Sequence, residues 1–187
     1  MTDKITKGSV ADIAQQQRRD VPEVLMECTK IVILDSSYSM TTIVKSEGES
    51  EMRRHDLAEQ ALRKIQENNP GQVALIEFSS KVEFVPGGVP TRMNGDTDML
   101  AALNYVLPFD DTGIEFILVS DGEPNMGQRE SVLELAKKFK SKIHTIFIGD
   151  QGSEGAKFLE QIGTGKSFDV SATELLGTME RLMLNGS

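Results

Sequence analysis

The segment KIVILDSSYSM, residues 30–40, joins a short apolar run to a carboxylate and three serines. The run 31–34 is rich in β-branched residues, which predicts a strand buried on both faces of a sheet. Polar side chains begin at Asp35, where this strand is expected to end. Ligands bind at that edge of an α/β sheet. By itself the segment fits a helix cap, a phosphatase nucleophile or a metal-binding loop.

Strands and helices alternate along the rest of the chain. Only three residues separate the apolar runs 73–78 and 82–85, which is too few for a parallel crossover, so we expect an antiparallel hairpin. The pattern predicts an α/β fold with a doubly wound, mostly parallel, Rossmann-like sheet, one antiparallel edge strand and helices on both faces. Further strands are predicted at 114–120, 142–149 and 166–170, and helices at 52–71, 99–107, 130–140, 154–163 and 172–184.

The overall composition limits the classes of partner. The 187 residues carry a net charge of −9, which repels nucleic-acid phosphates and anionic lipids, so we expect neither nucleic acid nor a membrane as a partner. The single cysteine, Cys28, permits no disulfide within the chain, and this favours a reducing compartment. We therefore expect a cytoplasmic protein, with a polar N-terminal extension at 1–20 and a domain at 21–187.

Three loops at the expected ligand-binding edge are rich in oxygen atoms: 35–39, 95–98 and 120–123. None of them contains cysteine or histidine, so the donor set suits a hard cation such as Mg²⁺, Mn²⁺ or Ca²⁺ rather than zinc or copper. In an extended segment, alternate residues point the same way, which would direct Asp35, Ser37 and Ser39 toward one ion. Helix capping explains Asp98 better than metal binding does.

The run Asp35-x-Ser37-x-Ser39, with Thr97 after Gly95 and Asp121 in VSDGE, resembles the metal-ion-dependent adhesion site of von Willebrand factor A domains. The resemblance extends from about residue 28 to residue 184. It implies that Ser37 and Ser39 bind the metal directly, and that Thr97 does so when a ligand is bound. It also implies that Asp35 and Asp121 hold the metal mainly through water or through hydrogen bonds to the inner ligands.

The same resemblance implies a binding protein without enzymatic activity. In this family a carboxylate of the partner often completes the coordination of the metal, for which Mg²⁺ is the first expectation. Intracellular relatives act with AAA+ ATPases or in stress-response complexes, and we expect a protein partner of this kind. The alternative is a Mg²⁺-dependent phosphohydrolase of the haloacid dehalogenase type. That class needs an aspartate as acid and base two residues after Asp35, where this chain has Ser37.

The two histidines are expected to be structural. His55 lies among charged residues in the predicted helix 52–71, so we expect it on a solvated face. His144 alternates with apolar residues in the predicted strand 142–149, which favours a packed histidine.

Overall fold

A six-stranded sheet forms the centre of the molecule, seen in a computed structural model that describes residues 4–44, 52–122, 124–149, 151–170 and 174–184. Its strand order is β5-β4-β1-β6-β7-β8, and every neighbouring pair is parallel except β4 with β5. A two-stranded antiparallel ribbon pairs β2 with β3. The strands are β1 (Lys30–Asp35), β2 (Ile43–Val44), β3 (Met52–Arg53), β4 (Val73–Phe78), β5 (Val82–Phe84), β6 (Glu115–Ser120), β7 (Ile143–Ile148) and β8 (Ser167–Val170).

Helices cover both faces of the sheet, and each face has its own core. Side chains of β1 alternate between the two cores: Ile31 and Ile33 lie in one, and Val32 and Leu34 lie in the other. This two-sided burial is why β1 is a continuous apolar run in the sequence. The helices are α1 (Val10–Gln17), α2 (Val21–Leu25), α3 (Arg54–Asn68), α4 (Met99–Val106), α5 (Arg129–Ala136), α6 (Glu154–Ile162) and α7 (Leu175–Leu184).

The first core lies under α1, α2, α4, α5 and α6, and the second lies under α3 and α7. Together with the antiparallel edge strand β5, this arrangement confirms the predicted doubly wound α/β fold. Among the described residues, no helix has both the length and the apolar character needed to cross a membrane.

Most element boundaries fall close to the predicted ones. The main differences are the end of α5, which lies at Ala136 rather than at 140, and the two ends of α3, which lie at Arg54 and Asn68. A helix was predicted from residue 52, but Met52 and Arg53 pair with β2 and the helix begins at Arg54. The ribbon is a tertiary pairing that helical spacing does not reveal. For the last helix, the predicted residues 172 and 173 lie outside the described part of the chain.

Residues 4–20 lie against the domain. Val10 and Ala14 of α1 are buried in the first core, and the Thr6 N–H donates to the Gly87 carbonyl at 2.9 Å. The division into an extension at 1–20 and a domain at 21–187 stays a prediction.

An ion cluster lies at the amino-terminal edge of the sheet. Lys30 is 2% exposed and pairs with Glu115 on the neighbouring strand. Burial alone would raise the pKa of Glu115, but the hydrogen bond and the charge of Lys30 lower it to about 2. His144 is buried beside them and accepts a hydrogen bond from the Lys166 N–H at 2.9 Å, as expected for a packed histidine.

Candidate metal site

The first loop of the site begins where β1 ends. Asp35 is fully buried, and its carboxylate accepts a hydrogen bond from the Ser37 N–H at 2.8 Å. Residues Tyr38–Thr41 form one turn of 3₁₀ helix, for which Ser37 is the N-cap residue. This turn brings the Ser37 and Ser39 hydroxyl oxygens to 3.0 Å from each other. Two hydroxyls therefore lie side by side in front of a buried carboxylate.

The loop after β6 meets the first loop directly. The Ser39 hydroxyl donates to Asp121 Oδ1 at 2.7 Å, and the Ser120 hydroxyl donates to Asp35 Oδ2 at 2.5 Å. β1 and β6 are adjacent parallel strands, so their carboxyl ends lie side by side. The structure thus brings Asp35, Ser37, Ser39 and Asp121 into one hydrogen-bonded network.

Thr97 lies in the loop next to this network. Its N–H donates to the Asn125 side-chain oxygen at 2.9 Å, and its carbonyl accepts from the Asn125 N–H at 3.0 Å. The Tyr38 N–H donates to the Gly95 carbonyl at 3.0 Å, which joins this loop to the first one. The loop ends at Asp98, which caps α4 by accepting from the Ala101 N–H at 3.0 Å, as predicted.

Arg54, the first residue of α3, contributes a positive charge that the sequence did not indicate. Its guanidinium donates to Asp121 Oδ2 at 2.5 Å. The Asp121 side chain is completely buried in this pair. Arg54 is distant from Asp121 in sequence and reaches it only because α3 packs behind the first loop.

Burial dominates the electrostatics of Asp35. Desolvation raises the pKa of Asp35 to about 6, although hydrogen bonds from Ser120 and Ser37 oppose this change and the Asp121 charge adds to it. A carboxylate held in this way is destabilised when ionised, so a nearby cation would relieve the cost.

The donor set fits a hard divalent cation. The residues that would hold it offer hydroxyl and carboxylate oxygens, which are the atoms that Mg²⁺, Mn²⁺ and Ca²⁺ prefer. Among the described residues, no group of three or more His, Cys, Asp and Glu side chains forms a candidate centre. A cation at this edge would thus depend on the serine and threonine hydroxyls as well as on Asp35 and Asp121.

Three buried polar side chains behind the first loop were not predicted as a group. His55 was expected on a solvated face, but it is 1% exposed, and burial lowers its pKa. Its Nε2 lies 3.0 Å from the Ser36 hydroxyl, which also donates to Glu77 of β4. The sequence carried one signal for this cluster, because Glu77 is a carboxylate inside the apolar strand VALIEF.

Comparison with known proteins identifies the class of fold. No protein-family model matches the chain, and no curated protein matches it in sequence. An aerotolerance-related membrane protein from Bacteroides fragilis has a similar structure, with a TM-score of 0.60, 13% identity, and coverage of 85% of this chain and 98% of that chain.

Two further similar structures carry the name of the fold. The von Willebrand factor type A structure from Catenulispora acidiphila has a TM-score of 0.59 and 14% identity, over 86% of this chain and 42% of that chain. The SpRpn10 VWA domain has a TM-score of 0.53 and 13% identity, over 80% of this chain and 93% of that chain. The chain therefore has the fold of von Willebrand factor A domains.

Proposed function

We propose that this chain is a von Willebrand factor A protein that binds a partner protein through a divalent metal, most favourably Mg²⁺, at a metal-ion-dependent adhesion site. One observation carries the proposal: Asp35, Ser37, Ser39 and Asp121 form a single hydrogen-bonded network beside the Thr97 loop. Ser37, Ser39 and Thr97 would offer hydroxyl ligands, and Asp35 and Asp121 would orient them and balance the charge of the ion.

The charge of the site favours an acidic partner. With both carboxyls ionised, Asp35, Asp121 and Arg54 carry a formal charge of −1. A divalent cation would change this charge to +1, and a carboxylate from outside would neutralise it. The metal supplies an electrophilic centre when it is bound, and the protein residues hold it at the end of the sheet where a partner can approach.

Exposed apolar side chains next to the site support a role in protein binding. Tyr38, between the two candidate serine ligands, is 74% exposed, and Met126 in the loop after Asp121 is fully exposed. Aromatic and methionine side chains are enriched where proteins meet their partners. The fold points the same way, since the similar structures include domains of the von Willebrand factor A type.

The phosphohydrolase alternative has no supporting contact. Its nucleophile would be Asp35, which is fully buried, and each of its carboxylate oxygens already accepts a hydrogen bond. The residue two positions later is Ser37, which cannot act as the second carboxylate. We therefore propose binding rather than catalysis as the function of this site.

Calorimetric titration with Mg²⁺ and with Mn²⁺ tests the metal site. We expect binding to the wild-type chain and no binding to the Ser37→Ala, Ser39→Ala double variant. The matched control is the Ser9→Ala, Ser141→Ala double variant. These two serines accept hydrogen bonds from backbone N–H groups near the opposite edge of the sheet, so this variant should bind metal like the wild type. Absence of binding at millimolar metal, or equal binding by the double variant, would refute the site.

Affinity capture tests the partner. The wild-type chain should retain an acidic protein from a cell extract in Mg²⁺ and release it in EDTA. The double serine variant should not retain that protein, whereas the Ser9, Ser141 control should. Retention that is equal in Mg²⁺ and in EDTA would show that the interaction does not pass through a metal.

A further inference from the structure

A buried carboxylate on β4 holds two loops of the candidate site, although it lies outside the proposed ligand set. Glu77 is completely buried. Its Oε2 accepts hydrogen bonds from the Thr91 N–H and the Thr91 hydroxyl, both at 2.7 Å, and its Oε1 accepts one from the Arg92 N–H at 2.8 Å. These three contacts fix the start of the loop that leads to Thr97.

The same carboxylate also holds the first loop. The Ser36 hydroxyl donates to Glu77 Oε1, and Ser36 lies between Asp35 and Ser37 in the chain. On its other side, the Ser36 hydroxyl lies 3.0 Å from His55 Nε2 of α3. Glu77 therefore accepts four hydrogen bonds, three from the Thr97 loop and one from the Asp35 loop.

The loop that Glu77 holds has an unusual backbone. Arg92 and Asn94 have φ angles of 60° and 52°, and Gly95 has a φ of 136°. Left-handed conformations of non-glycine residues each cost of the order of 1 kcal/mol and persist only where the surroundings fix them. The hydrogen bonds from the Thr91 and Arg92 N–H groups to Glu77 supply that support at the beginning of the loop.

We propose that Glu77 is the positioning residue of this site: its carboxylate sets the Thr97 loop in register with the Ser37 and Ser39 hydroxyls. The two loops meet where the Tyr38 N–H donates to the Gly95 carbonyl. Glu77 bonds each loop a few residues earlier, at Ser36 and at Arg92. The effect of Glu77 on metal affinity rests on the proposed metal-binding function, but its effect on the position of the loop is measurable without metal.

The side chain of Glu77 suits this role because it only accepts hydrogen bonds. All four groups that meet its two oxygens are donors in the arrangement seen. A glutamine of the same shape would present an N–H₂ group to one pair of these donors. At least one of the Thr91 and Arg92 N–H groups would then lose its acceptor, and the loop would lose part of its support.

The first test measures the loop in the metal-free protein. Amide hydrogen exchange followed by NMR should show that the Tyr38 N–H exchanges at least ~10-fold faster in Glu77→Gln than in the wild type. The Tyr38 N–H bonds to the Gly95 carbonyl rather than to Glu77, so a change in its exchange reports the position of one loop relative to the other. The Val32 amide in the central strand should keep its protection, and an unchanged Tyr38 amide would overturn the proposal.

The second test measures the metal site. Mg²⁺ affinity, measured by calorimetry, should fall by ~10- to ~100-fold in Glu77→Gln, the range usual for residues that orient metal ligands. Ser36→Ala removes one of the four contacts and keeps the carboxylate, so its loss should be smaller. The Mg²⁺ affinity of the Ser36→Ala, Glu77→Gln double variant should equal that of Glu77→Gln within ~2-fold, because both substitutions affect the same link between the two loops. Fully additive losses would overturn the proposal.

Glu115→Gln is the matched control. It also replaces a glutamate that is hydrogen-bonded to neighbouring side chains, but at the opposite edge of the sheet. It should lower thermal stability and leave both Mg²⁺ affinity and the Tyr38 amide unchanged. If Glu115→Gln changes the Mg²⁺ affinity and the Tyr38 amide exchange as Glu77→Gln does, the cause is a general loss of stability, and the positioning role of Glu77 is refuted. If the wild type binds no Mg²⁺, the proposed function fails, and the exchange experiment still decides the role of Glu77.

Discussion

Replacing Asp35 by asparagine should raise the stability of the metal-free protein relative to the wild type as the pH increases, and should remove its capacity to bind metal. Asp35 is fully buried, and burial raises its pKa from the ordinary value of 3.8 to about 6. The folded chain therefore keeps a proton in a range where the unfolded chain has released it. Because of this difference, the contribution of Asp35 to stability falls as the pH rises from about 4 to above about 6.

The size of the effect follows from the pKa values. The difference between 3.8 and about 6 corresponds to about 3 kcal/mol of unfolding free energy that is absent at neutral pH, at about 1.36 kcal/mol per pKa unit. Asparagine carries no charge and does not have this pH dependence. The stability of Asp35→Asn relative to the wild type should therefore increase by about 2 kcal/mol between about pH 4.5 and about pH 7.5.

Urea denaturation at a series of pH values, in EDTA, measures this difference. The comparison across pH removes any constant effect of the new amide on the Ser37 and Ser120 hydrogen bonds. Asp110→Asn is a control of opposite sign. Burial tends to raise the pKa of Asp110, but backbone hydrogen bonds from Lys140 and Ser141 outweigh it and lower the pKa. Asp110→Asn should therefore lose stability relative to the wild type as the pH rises. A pH-independent difference for Asp35→Asn would refute the account of a desolvated carboxylate.

Three other substitutions should lower the free energy of unfolding in urea experiments. Gly95→Ala should cost about 1–3 kcal/mol, because Gly95 has a φ of 136° and its new Cβ would lie 2.6 Å from the Ser80 hydroxyl. Arg54→Met should cost about 3 kcal/mol by leaving the buried Asp121 carboxylate without its cation, and Mg²⁺ should reduce that loss. Leu62→Ala, in the core under α3, should cost about 2–5 kcal/mol whether or not metal is present.

The strands of the six-stranded sheet and their alternation with helices were predictable from the sequence, because burial on two faces produces continuous apolar runs. Uninterrupted apolar runs at 31–34, 73–76 and 116–119 lie in β1, β4 and β6, which are central or near-central strands. The hairpin of β4 and β5 was equally clear, since three residues permit only an antiparallel turn. The start of α3 was not, because the pairing of β3 with β2 depends on contacts outside the helix.

Within the candidate site, the sequence identified oxygen-bearing residues, and the structure decided which of them meet. Asp35, Ser37 and Ser39 could be grouped because they are close in the chain, and Asp121 because it follows a strand expected at the same edge. Arg54 could not be assigned, because its contact with Asp121 spans 67 residues and depends on where α3 packs. The metal, the partner and the role of Thr97 stay predictions for the experiments described above.

The sequence by itself determined the alternation of strands and helices and the residues at the carboxyl ends of the strands, because local periodicity and burial are recorded residue by residue. Only the tertiary structure decided that Glu77 joins two loops and that His55 is buried. Charged and polar residues in a sequence look the same whether they face solvent or a partner across the fold. The hydrogen bonds that distinguish the two cases form only when distant segments come together.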